Sequence, residues 1–341
     1  MNWLLTGGAG YIGAHVVRGM RAAGLGVVVV DDLSTGLRSR LATDVPLVRA
    51  NVRDADAVRD AIERHRVVGV VHLAARKGVV ESTVDPLLYY HDNIDGLRAV
   101  LVAAVAGGAR HFVYSSSAAV YGTPADAGPV HETSRTSPGN AYGRTKLVGE
   151  WMVADAARAC SLTYAALRYF NVAGAGEPDL ADVGEVNLLP RLLRAAAEDS
   201  PATVYGTDYP TRDGSCVRDY VHVGDIADAH VTVAQALAAG EVENEIFNVG
   251  RGVGVSVLEM LGAVRGVTGL PLRYRVAPRR PGDAPSAVGS TERIGMRLGW
   301  QAQRDLTDIV TSAWQALLHS GSLGRQSQEA SCSPSSAAGV A

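Results

Sequence analysis

Tyr142 and Lys146 lie four residues apart in Tyr142-Gly143-Arg144-Thr145-Lys146, at the start of a stretch that reads as helix through Trp151 and Met152. On a helix that spacing puts a phenol and an ammonium one turn apart on the same face. Such a pair is an acid–base device. A free phenol titrates near ~10, whereas a base useful at neutral pH titrates nearer ~7. A lysine charge about 6 Å away, at an effective dielectric of ~20, favours the phenolate by roughly 3 kcal/mol, about two pKa units. Ser115-Ser116-Ser117 ends an apolar run, at the carboxyl end where ligands sit in open α/β sheets. A hydroxyl there can hydrogen-bond the same substrate oxygen that Tyr142 handles.

A second constellation binds rather than reacts. Thr6-Gly7-Gly8-Ala9-Gly10-Tyr11-Ile12-Gly13 follows a short apolar run and opens a helix through Val16 and Val17, with Gly7, Gly10 and Gly13 at three-residue spacing. Glycines are needed there because the chain turns tightly, its backbone approaches a pyrophosphate, and the helix N-terminus offers free N–H groups to that anion. Asp31, eighteen residues after Gly13, ends the second apolar run, where a carboxylate accepts hydrogen bonds from the adenosine ribose. The same charge, with Asp32 beside it, repels a 2′-phosphate and favours NAD over NADP, against which Arg38 and Arg40 are the nearest counter-signals.

The elements that hold these groups follow from periodicity. Short apolar runs predict strands at Trp3–Thr6, Val27–Asp31, Leu47–Ala50, Val67–His72, Phe112–Ser115 and Tyr164–Arg168, separated by helical-period segments such as Ala55–His65 and Leu87–Ala106. That alternation predicts an α/β fold with a Rossmann-type doubly wound parallel sheet and a smaller C-terminal substrate lobe. The expected division is a dinucleotide-binding domain over 1–170 with a return segment near 220–248, a mainly substrate-binding lobe over 171–319, and a disordered tail over 320–341. The lobe is inferred from loop chemistry at Gly174-Ala175-Gly176-Glu177-Pro178, Tyr209 to Gly214 and Pro278 to Gly282, and the tail from its seven serines.

Composition narrows the class. With 32 Lys plus Arg against 35 Asp plus Glu the net charge is −3, so no basic excess points to nucleic acid or an anionic membrane. No apolar run approaches the ~20 residues that span a bilayer, and the start of the chain lacks the basic and apolar regions of a signal peptide, so a cytoplasmic location is expected. Cys160, Cys216 and Cys332 are odd in number and widely spaced, which reads as reduced thiols, and the nine histidines show no metal-ligand spacing.

The glycine loop, Ser117 and the Tyr142/Lys146 pair resemble the extended short-chain dehydrogenase/reductase superfamily. Within it, four stretches are similar to the UDP-hexose 4-epimerases: Ser115 to Gly122, Leu167-Arg168-Tyr169-Phe170-Asn171, Tyr209-Pro210 through Val217-Arg218-Asp219-Tyr220-Val221-His222, and Ala277 to Asp283. The resemblance runs from about Asn2 to Trp300. It implies NAD as cofactor, with Tyr11, Ile12, Asn51, Val52, Leu73, Ala74, Lys77, Asn93 and Tyr169 joining the glycines and Asp31 around it. It also implies a UDP-hexose held by Asn171, Asn187, Leu188, Tyr205, Arg218, Arg280 and Asp283, with Tyr205 stacking on uracil, and a homodimer formed by helices around Leu87 to Ala106 and Tyr142 to Cys160. Two positions depart from the family pattern: Asn51 replaces the usual Asp near the adenine amine, with its side-chain oxygen still an acceptor, and Val172 replaces the usual Pro.

The activity so implied is interconversion of UDP-glucose and UDP-galactose, with Tyr142 as base, Ser117 sharing the proton and Lys146 lowering the tyrosine pKa. Ala287, four positions after Asp283, stands where the family carries a residue against the hexose; a methyl there predicts room for a 2-acetamido group, so that UDP-N-acetylglucosamine and UDP-N-acetylgalactosamine are substrates too. A sugar-nucleotide dehydratase would need acidic groups after the serine, where Ala118 and Ala119 stand. Another NAD-dependent nucleotide-sugar epimerase of the same superfamily, a net dehydrogenase and a non-catalytic dinucleotide sensor are the remaining alternatives, and the sensor is disfavoured by the presence of both Tyr142 and Lys146.

Overall fold

The structure is a computed structural model that describes residues 1–124, 128–184, 187–280 and 282–320. The residues expected to form the tail lie, past Ser320, outside the described residues, as does Cys332. The first half alternates β1 (Asn2–Thr6), α1 (Tyr11–Ala22), β2 (Gly26–Val30), β3 (Leu47–Val48), α2 (Ala55–Arg64), β4 (Val67–His72), α3 (Val79–Val84), α4 (Pro86–Tyr89), α5 (Gly96–Ala106), β5 (His111–Ser117), α6 (Ala141–Ala159) and β6 (Thr163–Tyr169). The second half follows with β7 (Asn171–Ala173), α7 (Leu188–Ala197), β8 (Ala202–Tyr205), β9 (Val217–His222), α8 (Val223–Ala239), β10 (Glu245–Val249), β11 (Gly254–Ser256), α9 (Val257–Thr268), β12 (Tyr274–Ala277), β13 (Ser286–Ala287), α10 (Glu292–Leu298) and α11 (Leu306–His319).

Among the described residues the main sheet has seven parallel strands in the order β10-β6-β5-β4-β1-β2-β3. This is the doubly wound α/β arrangement, with the strand order reversing between β1 and β4. Strand interiors rich in Val, Leu and Phe are buried on both faces, as a parallel sheet requires. Two apolar layers cover it. One joins Trp3, Leu5, Val29 and Leu167 to α1 and α8, and the other joins Leu4, Val70 and Phe112 to α2, α5 and α6.

A separate core gathers Leu189, Leu192, Leu193, Met260, Leu261, Val264, Ile309 and Val310 from α7, α9 and α11. It packs beside a small sheet of β11, β9 and β13, with β7 paired to β9, and beside the β12–β8 pair. Between the two cores the chain crosses back: α8 packs against α1, and β10 hydrogen-bonds alongside β6.

Two expected elements come out differently. The single helix predicted over Leu87–Ala106 is broken by a π-helical stretch, Tyr90–Asp95, between α4 and α5. Buried Asn93 lies in that stretch, accepting from the Arg76 N–H (2.8 Å) and donating to the Arg76 carbonyl (3.1 Å) and the Thr145 hydroxyl (3.0 Å). The wide turn aims an amide at the loop after β4, a use of π-helix that recurs at functional sites. The strand predicted over Leu47–Ala50 shortens to two residues, because β3 is an edge strand with only β2 to pair.

Candidate active site

The glycine loop, Asp31 and the loop from Leu73 to Lys77 follow β1, β2 and β4, and Ser117 and Tyr169 end β5 and β6, so all lie at the carboxyl edge of the main sheet. The glycine cradle admits no side chain. A Cβ at Gly13 would stand 2.1 Å from the Gly7 carbonyl oxygen, and Gly7 itself has φ +71°. Gly10 caps α1 without a side chain, so the first N–H groups of the helix are left for an anion. Asp31 braces the cradle, each carboxylate oxygen accepting one backbone N–H, from Ala9 and from Leu33 (both 2.9 Å). One acceptor site on each oxygen remains for ribose hydroxyls.

The neighbouring groups fit an unphosphorylated ribose. Burial opposes the charge of Asp32, but hydrogen bonds from Ser34 and Asn51 win and hold its carboxyl below the usual range. Arg38 is turned onto the carbonyls of Leu41, Ala42 and Thr43, and Arg40 onto that of Ala181, so neither is left for a 2′-phosphate. Asn51 differs from the sequence reading. Its amide donates to Asp32 (2.8 Å) while its oxygen accepts from both N and Nε of Arg53 (3.1 and 3.0 Å), which occupies the acceptor expected for an adenine amine. Half-buried Val52 packs with the core beneath α2 and α5, and the amide of Ala74 closes on the Thr6 hydroxyl (3.4 Å). Tyr169 is buried, with its hydroxyl against His230 and Ser115.

The reactive groups come from one strand and one helix. Asn140 caps α6 by accepting from the Gly143 N–H (2.8 Å), and Gly143 lets the helix close on the turn after β5, since a Cβ there would meet the Ala119 carbonyl at 2.6 Å. Tyr142 is thereby brought to the Ser117 end of β5, where that hydroxyl acts to lower its pKa. The Lys146 ammonium lies 6.0 Å from the centre of the Tyr142 ring and donates to the Ser115 carbonyl (2.7 Å). The electrostatics correct one expectation. Burial pushes the Tyr142 phenol up from its ordinary value, opposed by the Ser117 hydrogen bond, so the lysine alone does not bring it toward neutrality. Lys146 is itself brought down to about 8 by burial, with the Glu150 charge resisting.

A cleft of about 1150 Å³ opens beside this edge and is lined by Lys77, Asn171, Asn187, Leu188, Tyr205, Arg218, Arg280 and Asp283. Tyr142, Ser117 and Ala287 are not in that lining; Ala287 is half-buried opposite Arg218 in the β9–β13 pairing. Asn187 donates to Asp182 (2.6 Å), and Lys77 stands 6.0 Å from the ring centre of Tyr11. Arg280 lies over the Tyr205 ring at 4.9 Å and pairs with Asp283 (2.8 Å). Sequence reasoning missed Arg191, Arg194 and Arg275 on the same walls, where Glu198 joins Asp283 as the only other carboxylate among the lining residues. The cationic excess suits a pyrophosphate. Arg191 was findable as Asn187 plus four on a helix, whereas Arg275 reaches the cleft only through the β12–β8 pairing.

Comparison with known proteins places these groups in a family. Residues 3–250 match the model of the NAD dependent epimerase/dehydratase family. The chain is 41% identical over 323 residues to the UDP-glucose 4-epimerase of Azospirillum brasilense, covering 92% of each. Among solved structures it is similar to UDP-glucose-4-epimerase from Stenotrophomonas maltophila with bound NAD and formylated UDP-arabinopyranose (TM-score 0.89, 38% identity, 96% of this chain and 99% of that one). It is also similar to the UDP-Glc/GlcNAc 4-epimerase from Campylobacter jejuni (TM-score 0.81, 34% identity, 92% and 98%).

Proposed function

The chain belongs to the NAD dependent epimerase/dehydratase family, and from that premise we propose that it is an NAD-dependent isomerase interconverting UDP-glucose and UDP-galactose. The observation that carries this reading is the placement of Lys146, which is held on the Ser115 carbonyl near the end of β5 (2.7 Å) with its ammonium 6.0 Å from the centre of the Tyr142 ring. Bound NAD would supply the hydride acceptor for C4 of the sugar and the returning hydride.

Tyr142 takes the proton of the 4-hydroxyl as C4 gives up its hydride, and returns it to the C4 oxygen as a hydride reaches the opposite face of the keto sugar, which has rotated about its pyrophosphate linkage. Ser117 holds the same oxygen and stabilises the phenolate by hydrogen bonding. Lys146, fixed on the Ser115 carbonyl, keeps a positive charge beside the ring while the proton is off. Gly7, Gly10, Tyr11, Ile12 and Gly13 cradle the cofactor pyrophosphate, Asp31 its ribose, and Leu73, Ala74 and Lys77 its other end. Asn93 positions that last loop through its two bonds to the Arg76 backbone. Arg218 and Arg280 bind the substrate phosphates, Asn171, Asn187, Leu188 and Asp283 line the UDP, and Tyr205 stacks on the base after Arg280 leaves its ring.

The test is turnover of UDP-galactose with separation of the sugar products. Wild-type protein gives a UDP-glucose/UDP-galactose mixture without added NAD, and Tyr142→Phe keeps the fold and cofactor but loses about 10²–10⁴ in rate. Near-normal turnover by the variant, or one NADH accumulating per sugar oxidised, overturns the reading. The dehydratase alternative is weakened by Ala118 and Ala119, which occupy the turn after Ser117 and offer no acid.

The small Ala287 supports acceptance of the acetamido sugars as well. Of the neighbours able to refill its volume, Tyr220 is held in the core of the second lobe, Val288 packs toward Gly254, and Tyr205 is the ring assigned to the base. Kinetics on UDP-N-acetylglucosamine decide it: Ala287→Tyr lowers that activity roughly 10- to 200-fold relative to UDP-glucose, and no acetamido turnover by the unmodified protein rejects the wide pocket. The enzyme forms a homodimer through α4, α5 and α6, a reading supported by the exposed apolar side chains there, Leu87, Val102 and Trp151. Both described cysteines, Cys160 and Cys216, are free, which supports a reducing compartment, the cytoplasm.

A further inference from the structure

Beneath Tyr142 and Ser117 lies an ion pair that the proposed mechanism does not use. Glu150 and Arg168 have side chains 3% and 4% exposed and meet in a two-pronged contact, Nε to Oε1 at 2.8 Å and Nη2 to Oε2 at 2.6 Å. Glu150 Oε1 also accepts the Ser116 hydroxyl. Arg168 donates onward to the Tyr121 hydroxyl (2.9 Å) and the Glu132 carbonyl (3.1 Å). Tyr121 in turn donates to Asn248 on β10 (2.6 Å).

The pattern is a zipper. Two successive serines of β5 bond two residues one turn apart on α6, the Ser115 carbonyl accepting from Lys146 and the Ser116 hydroxyl donating to Glu150, while Tyr142 stands one turn before Lys146 on the same helix. We propose that Glu150 is a positioning residue for the acid–base pair: through Ser116 and Arg168 it fixes the register of the strand end against the helix, and it sets a carboxylate one helical turn from Lys146. The inference rests on the reading of Tyr142 and Lys146 as the working pair.

The surroundings of Lys146 leave few other sources for that charge. β5 offers the Tyr114 ring at 5.3 Å and a carbonyl, β4 offers His72, held neutral by burial at about 3, and α6 offers the neutral Tyr142. From β6 come Arg168, already paired, and buried Tyr169. Glu150 is the group that resists the discharge of Lys146 by burial. Removing its charge also frees the charge of Arg168, and both changes lower the lysine pKa.

The readout is the titration of the Lys146 side chain, followed by ¹³C NMR of labelled lysine and by the alkaline limb of the rate profile. In Glu150→Gln both move down by roughly half to one pH unit, while Glu150→Asp, which keeps the charge, restores the lysine titration. Because Glu150→Gln leaves Arg168 buried and alone and so threatens folding, the double variant Glu150→Gln/Arg168→Gln is run beside it. It removes both charges without an orphan, and the lysine titration still moves down because Glu150 is the charge that acts on Lys146. A Lys146 titration unchanged in the folded double variant overturns the proposal. The NMR arm needs no turnover, so it stands apart from failure of the functional reading, which the Tyr142→Phe rate reports.

Discussion

At the scale of single residues, the spacing of Tyr142 and Lys146 was readable because an i, i+4 pair shares a helix face wherever the helix packs. What spacing could not convey is burial. The site is dry enough to push the phenol up and bring the ammonium down to about 8, the reverse of the pair as two charges in a uniform medium. The sign of the pH effect follows. Lys146 is charged below about pH 8 and loses its proton above it, so kcat falls as pH rises through that value. Lys146→Met removes this limb and lowers the rate across the whole range, and a pH–kcat profile checks it: a limb that persists in the variant belongs to another group. Asn51 shows the same limit, since its type was legible but its capture by Asp32 and Arg53 was not.

At the scale of elements, β1 to β6 and α2 were visible as runs of the right period, whereas β7 to β13 were mostly hidden because strands of two to six residues between turns leave little pattern. Also invisible was the grip of α1 on the segment after β7. Tyr11 donates to the Gly174 carbonyl, and His15 donates from Nδ1 to the Tyr11 carbonyl (2.8 Å) while its Nε2 accepts from the Gly176 N–H (2.8 Å). His222 accepts likewise from the Gly224 N–H (2.9 Å). Both rings therefore work as neutral bases. Burial brings each down to about 4, with the nearby Arg304 charge adding to it at His222. A histidine depressed in the folded state contributes stability above its unfolded value, near ~6.5, that is lost as pH falls toward 4. Each should cost ~1–2 kcal/mol at pH 5. Thermal unfolding between pH 7 and 5 tests this: the melting temperature declines, and declines less in His15→Gln. A flat profile for the unmodified protein refutes the assignment.

At the scale of the whole molecule, charge and composition excluded nucleic acid and membrane as leading partners, and in the structure no helix among the described residues is long and apolar enough to cross a bilayer. The parallel sheet was legible because βαβ units permit few alternatives. The proposed association surface came only from resemblance, since apolar helix residues look alike whether they face the sheet or a partner. In the chain Leu97, Val100 and Val153 are fully buried, while Leu87 is 77% and Trp151 58% exposed. If the proposed dimer forms through these helices, Trp151→Glu leaves the fold intact and shifts the protein from dimer to monomer in sedimentation velocity, since it puts an unpaired charge into an apolar contact. An unmodified protein that sediments as a monomer at micromolar concentration removes the dimer.

The placement of β10 beside β6 bears on how the molecule is made. The strand that closes the far side of the main sheet is supplied by residues Glu245–Val249, more than seventy positions after β6 ends. During synthesis, β6 emerges from the ribosome as an open edge with unpaired backbone groups and waits for α8 and β10 before that flank is covered. Such a long wait raises contact order and slows completion of the fold. The nascent chain is thus most prone to stray edge-to-edge pairing in the interval between the translation of Tyr169 and Val249.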